Sequence, residues 1–153
     1  MEEIRFSKNN KYYVFSNFEG GAVCYDGIEY SCAESAYQAA KTLDETEKRC
    51  IAMLPPSKAK KTGRHLVLRP DWEDIKVTVM YGVCLAKFTQ HNELKKLLLS
   101  TGDAVLIEDT TAWHDNTWGD CRCPKCINIE GKNYLGKVLM KVRDRIKEII
   151  LEK

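Results

Sequence analysis

The stretch from Leu135 to Leu151 repeats Leu135, Val138, Leu139, Val142, Ile146, Ile149 and Ile150 mostly at spacings of three and four. An α-helix turns about 100° per residue, so these side chains share one face. A helix buried along that face is the structure that satisfies the pattern. A second stripe follows Pro70-Asp71: Trp72, Ile75, Val79, Val83 and Ala86, with Asp71 as the expected cap. Two such stripes predict a fold in which helices dominate. The chain has 153 residues, a length that suits one core, so residues 1–153 are expected to form a single domain.

Shorter elements fill the space between. Tyr12-Tyr13-Val14-Phe15 reads as a strand from its aromatic and β-branched content. Ala22 to Tyr30 reads as a hairpin turning at Asp26-Gly27. Ser31 to about Leu43 reads as a helix, opened by the capping signature Ser31-x-x-Glu34. Another helix is expected from Asp44 to Met53, stopped by Pro55-Pro56, with a further turn or two over Ser57–Gly63. Asn92–Ser100 reads as helix and Ala104–Glu108 as strand. The expected class is helix-dominated α+β with a small antiparallel element near the N-terminus. Residues 109–134 look irregular, and loops of that length tend to be functional or disordered.

Charge excludes some partners. Lys+Arg is 24 and Asp+Glu is 22, a net +2, so no global field draws in nucleic acid or a membrane surface. No apolar run reaches the roughly 18–20 residues of a bilayer span. Met1-Glu2-Glu3-Ile4-Arg5 lacks the apolar core of a signal peptide. A cytoplasmic location without membrane association is expected. The seven cysteines, an odd number, argue for reduced thiols. Cys24, Cys32, Cys50 and Cys84 read as small buried side chains. Cys121-Arg122-Cys123-Pro124-Lys125-Cys126 places three thiols in six residues. Three ligands are one short of a zinc set, although His114 or a distant cysteine offers a fourth. The pattern lacks the two-pair spacing of a strong zinc motif, so no metal ligand is assigned and no cofactor is expected.

The first helix carries the most suggestive side chains. At helical spacing Glu34 and Lys41 point within about 20° of each other, and Gln38 lies between them about 40° off. A carboxylate, an amide and an amine then form one polar stripe. Spacing alone slightly favours a structural reading: Glu34 as capping-box partner and Lys41 as a cation near the negative helix end. In the irregular stretch, Trp113-His114-Asp115-Asn116-Thr117-Trp118-Gly119-Asp120 mixes rings for stacking with acids for proton transfer. An anchored surface loop explains the same composition. Asn133 reads as the cap of the last helix. Lys58, Lys60, Lys61, Arg64 and His65 form the densest basic stretch, suited to a phosphate or simply to solvent.

Taken in order, these segments resemble the NADAR family, also called YbiA-like, from about Phe6 to Arg145. The resemblance rests on Phe15-Ser16-Asn17-Phe18, Asp26-Gly27-Ile28-Glu29-Tyr30-Ser31 and Ala33-Glu34-Ser35-Ala36-Tyr37-Gln38-Ala39-Ala40-Lys41. It continues through Arg69-Pro70-Asp71-Trp72, Lys87-Phe88, Thr101-Gly102-Asp103, Asp115-x-x-Trp118-Gly119, Gly131-x-Asn133-x-Leu135-Gly136 and Leu139-Met140-x-x-Arg143. Two departures stand out. Ser35 occupies a position where the family often has histidine, and the cysteine cluster replaces an often glycine-rich connection.

The resemblance implies hydrolysis of an N-glycosidic bond, with Glu34, Lys41 and Asp115 as catalytic residues. Asn17, Phe18, Gln38, Arg64, Trp72, Trp118 and Asn133 are the expected substrate contacts, Arg64 for a phosphate. Two small-molecule substrate classes are implied: phosphoribosylamino-pyrimidine intermediates of riboflavin synthesis, and ADP-ribose on guanine, free or in nucleic acid. Two routes fit. A carboxylate activates water, or Lys41 attacks C1 of the opened sugar as a Schiff-base nucleophile. The second is preferred, and it requires the Lys41 pKa to fall below its ordinary value although Glu34 opposes that fall. Two non-enzymatic readings compete: an ADP-ribose or nucleotide-binding module, and a zinc-dependent nucleic-acid binder. The near-neutral charge weighs against the latter.

Overall fold

The computed structural model describes residues 2–153. The chain folds as two compact units, one of Asn17–Asn92 and one formed by the chain up to Ser16 together with Glu93–Lys153.

In the first of these, strands β2 (Val23–Tyr25) and β3 (Ile28–Tyr30) pair antiparallel, Val23 opposite Tyr30 and Tyr25 opposite Ile28. Asp26 (φ 51°) and Gly27 (φ 82°) both take positive φ, as a tight turn matched to strand twist requires. Helices α1 (Ala33–Ala39), α2 (Glu45–Ala52), α3 (Pro56–Gly63) and α4 (Trp72–Gln90) follow. Asp44 caps α2 by accepting from the Thr46 and Glu47 amides, and Pro56 starts α3 at the position proline tolerates best. The α4 stripe is buried at Trp72, Val79, Met80, Val83, Cys84, Lys87 and Phe88, while Ile75 and Ala86 are half-buried. Asp71 holds the cap position without a capping bond, because its carboxylate is held by Arg69 at 2.7 Å. Helix α1 packs against α2, α3, α4 and both strands, and all seven of its residues are buried.

The other unit pairs β1 (Glu3–Phe6) with β4 (Val105–Glu108) in parallel, from Glu3 opposite Val105 to Phe6 opposite Glu108. Helices α5 (Asn92–Ser100) and α6 (Tyr134–Leu151) belong here, apart from Asn92 itself, and α6 lies on β4. The α6 stripe is buried at Leu135, Val138, Leu139, Val142 and Ile146, as its spacing predicts, but Ile149 is half-buried and Ile150 is exposed near the helix end. Residues 109–133 hold neither helix nor strand beyond one bridge, Asp109 to Asp120. No helix among the described residues is long and apolar enough to cross a membrane.

Several expectations need correction. Lys11–Phe15 is a 3-10 helix, not a strand: the Asn10 side chain accepts from the Tyr12 amide and starts a turn that overrides the strand propensity of the run. Helix α1 begins two residues later than expected and ends at Ala39, and its capping box is Cys32 with Ser35. The Ser31 hydroxyl is instead spent on the Leu54 carbonyl. Cys24 and Cys50 are exposed rather than buried. Asn133 precedes α6 in left-handed backbone (φ 52°), yet caps nothing. Its side chain accepts from the Glu108 amide at 3.0 Å and donates to the Leu106 carbonyl at 2.8 Å, fastening α6 to β4. The parallel pairing of β1 with β4 was not anticipated.

Candidate functional site

The shifted capping box changes what Glu34 does. Cys32 and Ser35 bond each other's amides, Ser35 N to Cys32 Sγ at 3.4 Å and Cys32 N to Ser35 Oγ at 3.3 Å. Glu34, in the first turn of α1, is thereby released from capping while its charge still favours the positive helix end. It is 7 % exposed, and its Oε1 accepts from Gln38 Nε2 at 2.8 Å. Its amide donates to the Asn17 carbonyl at 3.0 Å, and buried Asn17 points its Nδ2 at Met80 Sδ, 3.1 Å away. Glu34 is thus held at its carboxylate by Gln38 and at its backbone amide by the Asn17 carbonyl.

Lys41 lies just past the end of α1. Its amide donates to the Gln38 carbonyl at 3.1 Å and its carbonyl accepts from Arg69 N at 2.8 Å, so both sides of its peptide are anchored. The ammonium sits 5.9 Å from the Tyr37 ring centre, and Tyr37 tilts against Trp72 at 5.2 Å. Burial pulls the Lys41 pKa below its ordinary value; Glu34 pushes it back up, and Arg64, Lys60 and Lys76 pull it down further. The sequence left open which influence prevails over Glu34. Burial does, aided by three cations.

Around this pair, Lys60 sits 5.8 Å from the Phe18 ring centre, and Arg64, at the exposed end of α3, acts on Lys41 through its charge. Trp72 is 4 % exposed, with Tyr37 tilted against it. Gln38 Oε1 is buried without a hydrogen-bond partner among the described residues. It lies where a β-carbon on Gly63 would fall, 1.8 Å away, so only glycine lets α3 approach α1 this closely. A shallow depression lined by Tyr25, Asp26, Tyr30, Ala36, Ala40 and Arg69 opens elsewhere on this unit, and neither Glu34 nor Lys41 lines it.

Asp115, Trp118 and Asn133 belong to the other unit. Asp115 Oδ1 accepts from the Thr117 amide at 2.8 Å and the Trp118 amide at 3.0 Å, and its carbonyl accepts from the Thr110 hydroxyl. Trp118 is half-buried, edge-on to Tyr134 at 5.9 Å, and its carbonyl accepts from the Leu135 amide. Arg5 reaches in from β1 with ion pairs to Asp120 at 2.9 Å and Asp109 at 3.4 Å. Burial pushes the Asp120 carboxyl up, but the Gly131 amide and Arg5 hold it below the usual carboxylate value. In the same stretch, one ligand atom each from His114, Cys121, Cys123 and Cys126 lies within 4.8 Å of the others.

The fold therefore gathers Asn17, Glu34, Gln38 and Lys41, and sets Arg64 where its charge acts on Lys41. Sequence reasoning missed Tyr37 and Lys76, and the capping role of Ser35. Tyr37 was open to discovery, because it stands one helical turn before Lys41 and three residues after Glu34. Lys76 gave no signal: it looks like any lysine on a helix surface, paired with Glu73 at 2.7 Å.

The NADAR domain family profile matches residues 5–147. N-glycosidase YbiA of Escherichia coli (strain K12) is 38% identical over 144 residues, covering 92% of this chain and 86% of that protein. N-glycosidase Npun_R5314 of Nostoc punctiforme is 32% identical over 145 residues, 91% of this chain and 88% of its own. The chloroplastic riboflavin biosynthesis protein PYRR of Zea mays is 33% identical over 151 residues, 87% of this chain but 23% of that longer protein. Among solved structures, the NMR structure of E. coli YbiA superposes with a TM-score of 0.85 at 37% identity, covering 99% of this chain and 89% of that one.

Proposed function

The chain belongs to the NADAR domain family and is a hydrolase of N-glycosyl bonds, and we propose that it cleaves its substrate through a Schiff base on Lys41 assisted by Glu34. The substrate is an N-glycoside joining a phosphoribose or an ADP-ribose to the amine of a base. One observation carries this reading: a half-buried lysine, held below its ordinary pKa, has a buried carboxylate acting on it.

In the proposed reaction the C1–O4 bond opens as the glycosidic nitrogen passes its proton to O4, and neutral Lys41 Nζ adds to C1 of the resulting imine. The bond from C1 to the base nitrogen then breaks, and the two protons leaving Nζ pass by way of Glu34 to the departing amine. Water then adds to the Schiff-base carbon and releases Lys41. The balance is glycoside plus water giving base amine plus free sugar. Gln38 donates to Glu34 Oε1 at 2.8 Å and so orients the carboxylate for this shuttle. Arg64 and Lys60 have two effects: they favour the neutral amine, and they offer cations to a substrate phosphate. Asp115 and Trp118 belong to a loop of the other unit, whose base Asn133 fastens to β4.

The Zea mays relative is named a riboflavin biosynthesis protein, which favours a phosphoribosylamino-pyrimidine intermediate of riboflavin synthesis as the first candidate. An ADP-ribosyl guanine, in nucleotide or nucleic acid, is the second candidate. Both should be incubated with the protein under borohydride. Expected is a covalent adduct at Lys41, located by peptide mass, with one substrate class only. Turnover without an adduct, together with activity retained in Lys41→Arg, overturns the Schiff base and leaves direct attack by water.

A further inference from the structure

The geometry points to a structural zinc site formed by His114, Cys121, Cys123 and Cys126, a clamp across the irregular segment between β4 and α6. Four atoms of the right kind converge there, all within 4.8 Å of one another. Zinc bonds thiolate at about 2.3 Å and imidazole at about 2.0 Å, which sets tetrahedral ligand edges of about 3.5–3.8 Å. His114 Nδ1 already stands 3.3 Å from Cys121 Sγ. Three soft thiolates and one imidazole favour zinc over hard cations, which prefer oxygen.

The backbone is shaped to the same end. His114 takes left-handed φ of 61°, a conformation non-glycine residues adopt at some cost. The turn that brings Cys126 back is closed by its amide on the Cys123 carbonyl at 2.9 Å. The Cys123 amide points at Cys121 Sγ, 3.4 Å away, a donor suited to a charged metal-bound sulfur. Cys121 is buried, Cys123 and Cys126 are half-buried, and His114 is exposed, so an ion has a route in from the histidine side. A disulfide within the cluster would employ two thiols and leave one thiol and the imidazole without a role.

Binding would release the thiol protons, so it strengthens as pH rises. The ion would tie the residue before Asp115 to residues just after Gly119, closing the segment that holds Asp115 and Trp118. This inference does not depend on the glycosidase reading.

The test uses untagged full-length protein. Zinc should be present at about one equivalent per chain. After chelation under reductant, Co²⁺ titration of the apo-protein should give the sulfur-to-cobalt charge-transfer band and the intense visible bands of a tetrahedral thiolate site, bleached by added Zn²⁺. His114→Ala should weaken Co²⁺ binding by more than about tenfold. Cys123→Ser with Cys126→Ser should abolish the bands, and Cys24→Ser with Cys50→Ser should leave them intact. Reduced, folded wild-type protein that shows no charge-transfer band overturns the site, as do bands that survive the double change at 123 and 126. The wild-type measurement decides even if a variant misfolds. A thiol count showing a disulfide in the cluster, with no metal uptake after reduction, assigns these cysteines to redox chemistry instead.

Discussion

Around α1 the candidate side chains ride on regular backbone. Glu34 and Gln38 are one helical turn apart, and packing by three further helices holds that turn in place. Between Asp109 and Asn133 there is no such frame. Asp115 is fixed because its own carboxylate folds back on the Thr117 and Trp118 amides, and Asp120 because Arg5 and the Gly131 amide hold it. Mounting on a helix leaves a side chain free for chemistry, whereas a loop employs many of its side chains to hold its own shape. Substitutions of the candidate side chains in the first region should therefore reduce rate and spare stability, and those in the second should do the reverse.

The sharpest break would come at Lys41. Lys41→Arg should lower kcat at least about a thousandfold, because guanidinium cannot form the Schiff base, with little change in melting temperature. Single-turnover kinetics beside a thermal melt separate the two effects, and an equal loss of folding would erase the contrast between helix and loop. Glu34→Gln keeps the shape and the Gln38 contact but cannot carry a proton. A loss of about a hundredfold in kcat is expected, within the usual range for general acid–base residues.

Next comes the loop. Arg5→Ala should destabilise the fold by about 2 kcal/mol in denaturant titration, since it strips charge-assisted bonds from Asp120 and Asp109. The Asp120 carboxyl lies below its ordinary value in the folded state, so its contribution is full above the unfolded carboxylate pKa and is lost as pH falls through the folded one. The difference in stability between wild type and variant should accordingly shrink in acid. A gap that persists unchanged at low pH would assign the effect to packing.

The mildest change tests electrostatics alone. Lys76 lowers the Lys41 pKa, so Lys76→Gln should raise it and reduce the neutral fraction near pH 7. The rising limb of kcat against pH should move to higher pH, with a rate loss of about threefold on its acid side. A limb that stays in place would mean that Lys41 is not the group it reports.

The long stripes of α4 and α6, the turn at Asp26-Gly27 and the break at Pro55-Pro56 could be read from the sequence, because each is a local pattern with a local cause. What escaped depended on distant partners or unusual ones. Glu3–Phe6 is too short to announce a strand, and the partner that makes it one begins at Val105. The cap of α1 was misplaced because serine outranks cysteine as a capping residue, while the fold gives the Ser31 hydroxyl to Leu54. Glu34 and Lys41 were legible as a pair from helical spacing, but the balance that lowers Lys41 needed burial and Lys76. His114 stands seven residues before Cys121, and only its left-handed backbone turns the ring towards the thiols.

The contact between Gly63 and Gln38 restricts the order in which this chain can change. Residue 38 can shrink first, since a shorter side chain vacates the space beside position 63. Residue 63 cannot grow first, because its new methyl group would meet the amide oxygen already there. Two mutational steps that end at the same double variant are thus passable in one direction and closed in the other. Gly63→Ala should lower stability in the parent chain and do so less beside Gln38→Ser, so the two positions are coupled.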